Sequence, residues 1–201
     1  MQSTYTEQSY ENSVIELFQN MGYTHVYGPD IETRDFHCPL YEDVLLDYIH
    51  RLNKTASEDA IQDAISKLKN IDNNDLLQQN MVFMDYLQNG IEARYMENGE
   101  QRSTIIYLVD YKNPDNNSFI IANQWTFIEN SEKRPDILIF LNGIPVVLFE
   151  LKSPSREETD ASAAYRQIKN YMKEIPSMFT YNAICVMSDL LESRAGTITS
   201  G

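Results

Sequence analysis

The sequence predicts an α/β protein, a mixed β-sheet flanked by helices with a helical subdomain inserted toward the N-terminus. Three observations predict it. Apolar residues recur at helical spacing through residues 9–22, 41–53, 57–68 and 75–87. From Ile91 to Leu151 they fall instead into short runs rich in Ile, Val, Tyr and Phe, separated by Asn-Gly, Asn-Pro-Asp and Ser-Glu-Lys-Arg-Pro turn signals. A further helical stretch and a last apolar run follow, and the order helix, strands, helix, strand suits helices packed on a mixed sheet.

In the first helix, SYENSVIELFQNMG, Val14, Leu17, Phe18 and Met21 share one face, Gly22 stops it, and Glu11 borders the apolar side. A short strand or turn follows in MGYTHVYGPDI, broken by Gly28 and Pro29. The helices at Tyr41–Asn53, Ser57–Leu68 and Asp75–Leu87 carry much of the acidic surplus; Ser57 suits an N-cap and Asn89-Gly90 ends the last. Strand-like runs occupy Ile91–Met96, Ser103–Asp110, Ser118–Phe127, Ile137–Leu141 and Val146–Leu151. Ser155 and Glu158 have capping-box spacing ahead of a helix whose stripe is Ala161, Ala164, Tyr165, Ile168, Tyr171 and Met172, closed by Pro176. Asn182–Met187 reads as a buried strand, and the polar end stops without a closing element.

A chain of 201 residues suits one domain, here 1–201, with the helical insertion at about 40–90 and the core at about 91–190. Its hydrophobic fraction of 42% is that of a folding chain. No apolar run approaches the roughly 20 residues that span a bilayer, and MQSTYTEQSY has no signal-peptide pattern. With only Cys38 and Cys185, a disulfide framework is not indicated. These features predict a soluble protein of the reducing cytoplasm with no membrane partner. His37 beside Cys38 lacks a second ligand pair at zinc-site spacing and reads as a loop histidine and a small buried thiol.

The net charge of −14 is uneven. Residues 1–100 hold 18 acidic against 6 basic side chains, and residues 101–201 hold 12 against 10. The acidity therefore belongs mostly to the first half and predicts weak affinity for nucleic acid by the chain alone.

The stretch RPDILIFLNGIPVVLFELKSPS places Asp136 before one apolar run and breaks the next with Glu150 and Lys152. Glu150 and Lys152 share a strand face with Leu148 and Val146. A two-residue Asn142-Gly143 turn alone would set Asp136 opposite Phe149, on the wrong face. A three-residue loop would pair Asp136 with Leu148, diagonal to Glu150. A shared site thus requires a loop of odd length or a bulge. Two adjacent carboxylates suit Mg²⁺, which takes one or two protein carboxylates plus waters and substrate phosphate, and a nearby lysine can offset charge developing at phosphorus. The constellation suits phosphodiester hydrolysis; the competing reading is a polar hairpin end that meets solvent.

RPD at 134–136, ELK at 150–152 and QIKNY at 167–171 resemble the PD-(D/E)xK signature followed by the QxxxY motif of RecB-like nucleases. The longer stretch resembles in particular the N-terminal nuclease domain of the restriction (R) subunit of type I restriction-modification enzymes, specifically from about 124 to 197 and more loosely at 7–28. The resemblance implies a restriction-endonuclease-like core and a Mg²⁺-dependent DNA endonuclease domain acting on unmodified foreign DNA. It implies Asp136, Glu150 and the Leu151 backbone carbonyl as metal ligands, Lys152 acting on the attacking water, and Gln167 and Tyr171 supporting site and DNA. Glu11 would complete the site, against its reading as a solvent-facing glutamate, and Tyr171 also fits the core. Implied partners are double-stranded DNA, methylation and specificity subunits, and helicase-like motor domains. ATP would act only through those motor domains, since this chain has no G-x-x-x-x-G-K-[ST]. Two other readings compete: another PD-(D/E)xK repair or mobile-element nuclease, and a non-catalytic docking module.

Overall fold

Helix α1 (Glu7–Asn20) starts where the Thr6 hydroxyl accepts the Ser9 N–H at 3.1 Å and stops at Gly22, whose φ of +94° suits glycine. The computed structural model describes residues 6–31, 34–72, 75–152, 161–189 and 191–200. The run from Val14 to Phe18 offers two overlapping stripes. The sheet takes Ile15 with Val14 and Phe18, while Leu17 and Met21, expected on the buried face, are exposed and Glu11 is buried. Strand β1 (Thr24–Tyr27) follows.

Helices α2 (Glu42–Leu52), α3 (Glu58–Lys69) and α4 (Leu76–Asn89) come next, α3 capped by the Ser57 hydroxyl and α4 by the Asp75 carboxylate. After Gly90 the chain turns to strand as expected. Strands β2 (Ile91–Glu97) and β3 (Glu100–Ile106), however, pair only with each other and do not enter the central sheet. They pack on the helices, and Ile91, Ile106, Ile61, Leu68 and Phe83 share one buried cluster. Burying each such side chain contributes about 1.5–3 kcal/mol, so helices and ribbon hold one another. Gly90 sits so close to β3 that an added Cβ would lie 2.6 Å from Ile105.

The core continues with β4 (Phe119–Asn123), the short strands β5 (Phe127–Ile128) and β6 (Glu132–Lys133), then β7 (Ile137–Leu141), β8 (Ile144–Leu151), α5 (Ala161–Glu174), α6 (Pro176–Thr180), β9 (Ile184–Ser188) and β10 (Ser193–Gly196). The central sheet is mixed, ordered β1-β4-β7-β8-β9-β10, with β1/β4 and β8/β9 parallel. One face buries Ile121, Ile137, Ile139 and Leu151 under α1, and the other buries Ile120, Leu138, Leu148 and Cys185 under α5.

Two expectations at the C-terminal end are corrected. Pro176 ends α5 but also opens α6, because proline's missing N–H is no loss in a first helical turn. A closing element exists: β10 pairs antiparallel with β9. Its residues SRAG are mostly exposed, so no apolar alternation marks it. The proposed Ser155–Glu158 capping box lies outside the described residues.

Asn142 and Gly143 form a two-residue turn with φ of +50° and +83°, the primed geometry that Asn-Gly favours. The turn is buried under α2. A Cβ on Gly143 would sit 2.6 Å from Tyr41 O and from Leu45 N, so only glycine allows this approach. Asn142 satisfies its polar atoms there: Nδ2 donates to Leu108 O and Asn117 Oδ1 at 2.8 Å each, and Oδ1 accepts the Ser118 N–H at 2.6 Å.

Candidate active site

The register of the β7–β8 hairpin decides which side chains meet. Leu141 pairs with Ile144 and Phe140 with Pro145, but Ile139 pairs with Val147, leaving Val146 as an extra residue on β8. The turn thus has two residues, not the three considered from sequence, and a bulge supplies the slip. Beyond the bulge Leu138 pairs with Leu148 and Ile137 with Phe149. The next step sets Asp136 across from Glu150, directly opposite rather than diagonal. Without Val146 as a bulge Asp136 would face Phe149, on the α1 side.

Asp136 closes the strand end: its Oδ2 accepts the Leu151 N–H at 2.6 Å. Glu150 is fully buried on the α5 face, with Met187 of β9 as its parallel-strand neighbour. Lys152 donates from Nζ to Glu150 Oε1 at 2.5 Å and to the Leu151 carbonyl at 3.1 Å, while its backbone N–H holds Ser188 O at 2.8 Å. The Leu151 carbonyl named from the sequence is therefore at the site, facing the ammonium. From α5, Gln167 Nε2 donates to the Tyr171 hydroxyl at 2.7 Å. Burial first, and then the charge of Glu150, push the Tyr171 phenol up from its ordinary value. Tyr171 is buried among apolar neighbours, as its place in the stripe predicts, and its hydroxyl is held by Gln167.

Burial is the chief electrostatic fact. It raises Asp136 to about 7, helped by the Glu150 charge and opposed by the Leu151 N–H and by Lys152. Burial also raises Glu150, against the pull of Lys152. For Lys152 burial works against the charge, but Glu150 and then Asp136 outweigh it and its pKa rises. Both carboxylates are thus held less acidic than usual beside a firmly held ammonium.

Glu11 is not part of this cluster. It is 4% exposed and accepts from Asn123 Nδ2 at 2.6 Å, and Asn123 Oδ1 meets His25 Nε2 at 2.9 Å. Asn123 pairs with Ile137, so this network lies on the α1 side of the sheet. The solvent-facing alternative fails too, since a hydrogen-bonded partner makes burial of the carboxylate tolerable. Glu7, one turn earlier, does act on the site: its charge raises Asp136, Glu150 and Lys152. Its i, i+4 relation to Glu11 was the available signal. Tyr10 was also missed; its hydroxyl meets Ser188 Oγ at 2.6 Å and ties α1 to β9 beside Lys152. Arg134 is exposed.

One atom tests whether the donor set suits a metal. Glu150 Oε2 is buried and has no hydrogen-bond partner among the described residues. A lone buried carboxylate oxygen beside a second carboxylate fits a hard divalent cation. Among the described residues no group of three or more His, Cys, Asp or Glu side chains gathers around a metal position, so water and phosphate oxygens would complete the coordination. A cleft of about 260 Å³ between α5 and β9–β10 is lined by Tyr165, Ile168, Met172, Cys185 and Met187 among others and has no carboxylate in its wall. The reactive groups sit at the strand ends, not in that cleft.

Residues 4–201 match the family model described as the type I restriction enzyme R protein N terminus. The chain is 34% identical over 199 residues to the MjaIXP endonuclease subunit of a type I restriction enzyme from Methanocaldococcus jannaschii, covering 94% of this chain and 19% of that protein. It is 30% identical over 203 residues to the type I restriction enzyme HindI endonuclease subunit of Haemophilus influenzae, covering 96% of this chain and 19% of that one. The chain thus spans about a fifth of the length of these relatives. Among the described residues no helix is long and apolar enough to cross a membrane.

Proposed function

Since the chain belongs to the family of type I restriction enzyme R protein N termini, we propose that it is a Mg²⁺-dependent nuclease domain that hydrolyses phosphodiester bonds of unmodified foreign DNA. The observation that carries this reading is the bulged register that sets Asp136 across from Glu150, with Lys152 bonded to Glu150.

Asp136 and Glu150 would hold the cation, with the Leu151 carbonyl as the third oxygen at the same strand end. When bound, the cation supplies Lewis acidity toward the phosphate and permits both carboxylates to ionise side by side. Lys152 is an ammonium that donates hydrogen bonds, so its part is to orient the attacking water and offset negative charge on the phosphate oxygens. The water oxygen bonds to phosphorus as one P–O bond to the sugar breaks, the water's proton passing to bulk solvent and the departing sugar oxygen taking up a proton from it. Tyr171 orients Glu150 through its phenol proton, and Gln167 fixes that phenol by donating to its oxygen. Glu150 is fully buried on the α5 face and Asp136 half-buried, which holds their oxygens in a fixed arrangement at the strand ends.

In this reading DNA, methylation and specificity subunits and ATP-driven motor domains are partners of the assembled enzyme. The acidic first half of the chain agrees with delivery to DNA by an assembly rather than by the domain's own charge. Calorimetric titration of Mn²⁺ as a Mg²⁺ surrogate, beside Asp136→Ala and Glu150→Ala, tests it. Binding lost in both variants supports the shared site, and binding that survives in both removes the assignment.

A further inference from the structure

The strand end that carries Glu150 and Lys152 is braced on its other face by hydroxyl groups that the proposed reaction does not use. Ser188 is the last residue of β9 and the parallel-strand neighbour of Leu151, and its carbonyl accepts the Lys152 N–H at 2.8 Å. Successive strand residues alternate faces, so Leu151 and Ser188 turn toward α1 while Glu150 and Lys152 turn toward α5. Ser188 is 2% exposed, and its Oγ is a hub. It lies 2.6 Å from the Tyr10 hydroxyl and 2.7 Å from Ser193 Oγ, and it donates to the Glu192 carbonyl at 3.2 Å. A hydroxyl has one proton and two lone pairs. Since the Ser188 proton goes to Glu192 O, Tyr10 and Ser193 both donate to Ser188 Oγ, and the hub is satisfied on every side.

Tyr10 enters this hub from α1. Its ring packs against the cluster of Ile15, Ile137 and Leu151, so its hydroxyl is presented to Ser188 from a fixed point. Glu7, three residues earlier on the same helix, acts by its charge on Asp136, Glu150 and Lys152, which puts this turn of α1 beside the site. We propose that Tyr10 is a positioning residue for Lys152. Its hydroxyl fixes Ser188, the Ser188 carbonyl fixes the Lys152 backbone, and the ammonium is thereby aimed at Glu150 and the Leu151 carbonyl. A flexible four-carbon stem can hold its ammonium in one place only from a fixed root. The charge that Lys152 sets against developing charge at phosphorus is effective to the extent that it stands in place beforehand. Tyr10 lies on the face opposite the carboxylates, so it acts through Ser188 and does not touch the substrate. What Lys152 does here rests on the nuclease reading; the hydroxyl chain does not.

Tyr10→Phe removes one oxygen and keeps the ring in its place, which makes it the test. In the assembled, full-length enzyme, single-turnover DNA cleavage is measured against Mg²⁺ concentration for the parent, Tyr10→Phe, Ser188→Ala, the double variant and Lys152→Ala. Backbone amide exchange is followed by mass spectrometry in the same proteins. Tyr10→Phe is expected to lower the limiting cleavage rate by roughly tenfold, because small misplacements of a catalytic group cost that much or more. The Mg²⁺ concentration for half-maximal rate stays where it was, since Asp136 and Glu150 are not moved. Ser188→Ala loses at least as much, and the double variant is no slower than Ser188→Ala, the pattern of two groups acting through one bond. The peptide ending at Lys152 exchanges faster in these three variants, while the peptide of the Asn142-Gly143 turn does not change. A limiting rate in Tyr10→Phe equal to the parent's overturns the proposal. So does a raised Mg²⁺ requirement with faster exchange at the turn, which marks general loosening, and so does a double variant whose loss is the product of the two single losses. Lys152→Ala separates the two readings. Cleavage kept in it removes the nuclease role of Lys152, whereas cleavage lost in it and kept in Tyr10→Phe removes only the role given to Tyr10.

Discussion

The two ends of the β7–β8 hairpin are both buried and both polar, yet they are built on opposite terms. At the tip, Asn142 has its side-chain amide and carbonyl bonded to backbone or side-chain partners in the loops beneath α2. At the other end Glu150 is equally buried, one of its oxygens has no partner among the described residues, and Asp136 beside it is lifted to about 7. A satisfied buried polar group specifies structure. An unsatisfied one persists against its own destabilising effect, which makes it a candidate functional position.

The contrast is broken most sharply by activity. Asp136→Ala, Glu150→Ala or Lys152→Ala in the assembled, full-length enzyme is expected to lower plasmid cleavage by at least about hundredfold while ATP hydrolysis is retained. Full cleavage by all of them would mean that the unsatisfied end is merely poorly built.

Stability should run the other way. Asn142→Ala strands the Ser118 N–H and the Leu108 carbonyl and places alanine at φ +50°, a loss of about 3–5 kcal/mol. Denaturant unfolding measures it. A loss under about 1 kcal/mol would mean that water replaces the amide there and the tip is not the rigid end.

How much of this was legible in the sequence differs between the ends. The turn was legible, because Asn-Gly between apolar runs has one favoured geometry. The carboxylates were legible as exceptions to apolar runs. The bulge was not, since Val146 looks like any other strand residue and only pairing reveals that it is extra. The Glu11 network depended on Asn123, far away in sequence, and β10 lacked alternation.

A pH series sharpens the comparison further. The folded chain holds Asp136 at about 7, above its ordinary value of 3.8, so between those values the folded state binds the extra proton. The associated stability is full below about pH 4 and is lost as pH rises through about 7. Asp136→Asn removes that loss. Without divalent metal the variant should match the parent near pH 4 and exceed it by roughly 1–3 kcal/mol at pH 8. Thermal melts at both values check this, and a variant less stable at pH 8 would show that the carboxylate is structurally satisfied after all.

The smallest effect separates the two glutamates of α1. Glu7 is exposed and reaches the carboxylate pair only through its charge, across water-screened space. Glu7→Gln should therefore lower the midpoint of the Asp136 titration by no more than a few tenths of a unit, seen in the carboxyl carbon shift by NMR. Glu11→Gln should leave that midpoint in place, because Glu11 lies on the other face and its role is to accept from Asn123, which a glutamine carbonyl can also do. Should Glu11→Gln move the midpoint and Glu7→Gln not, the field at Asp136 passes through the sheet rather than around its end. The division of α1 into a structural carboxylate and an electrostatic one would then be reversed.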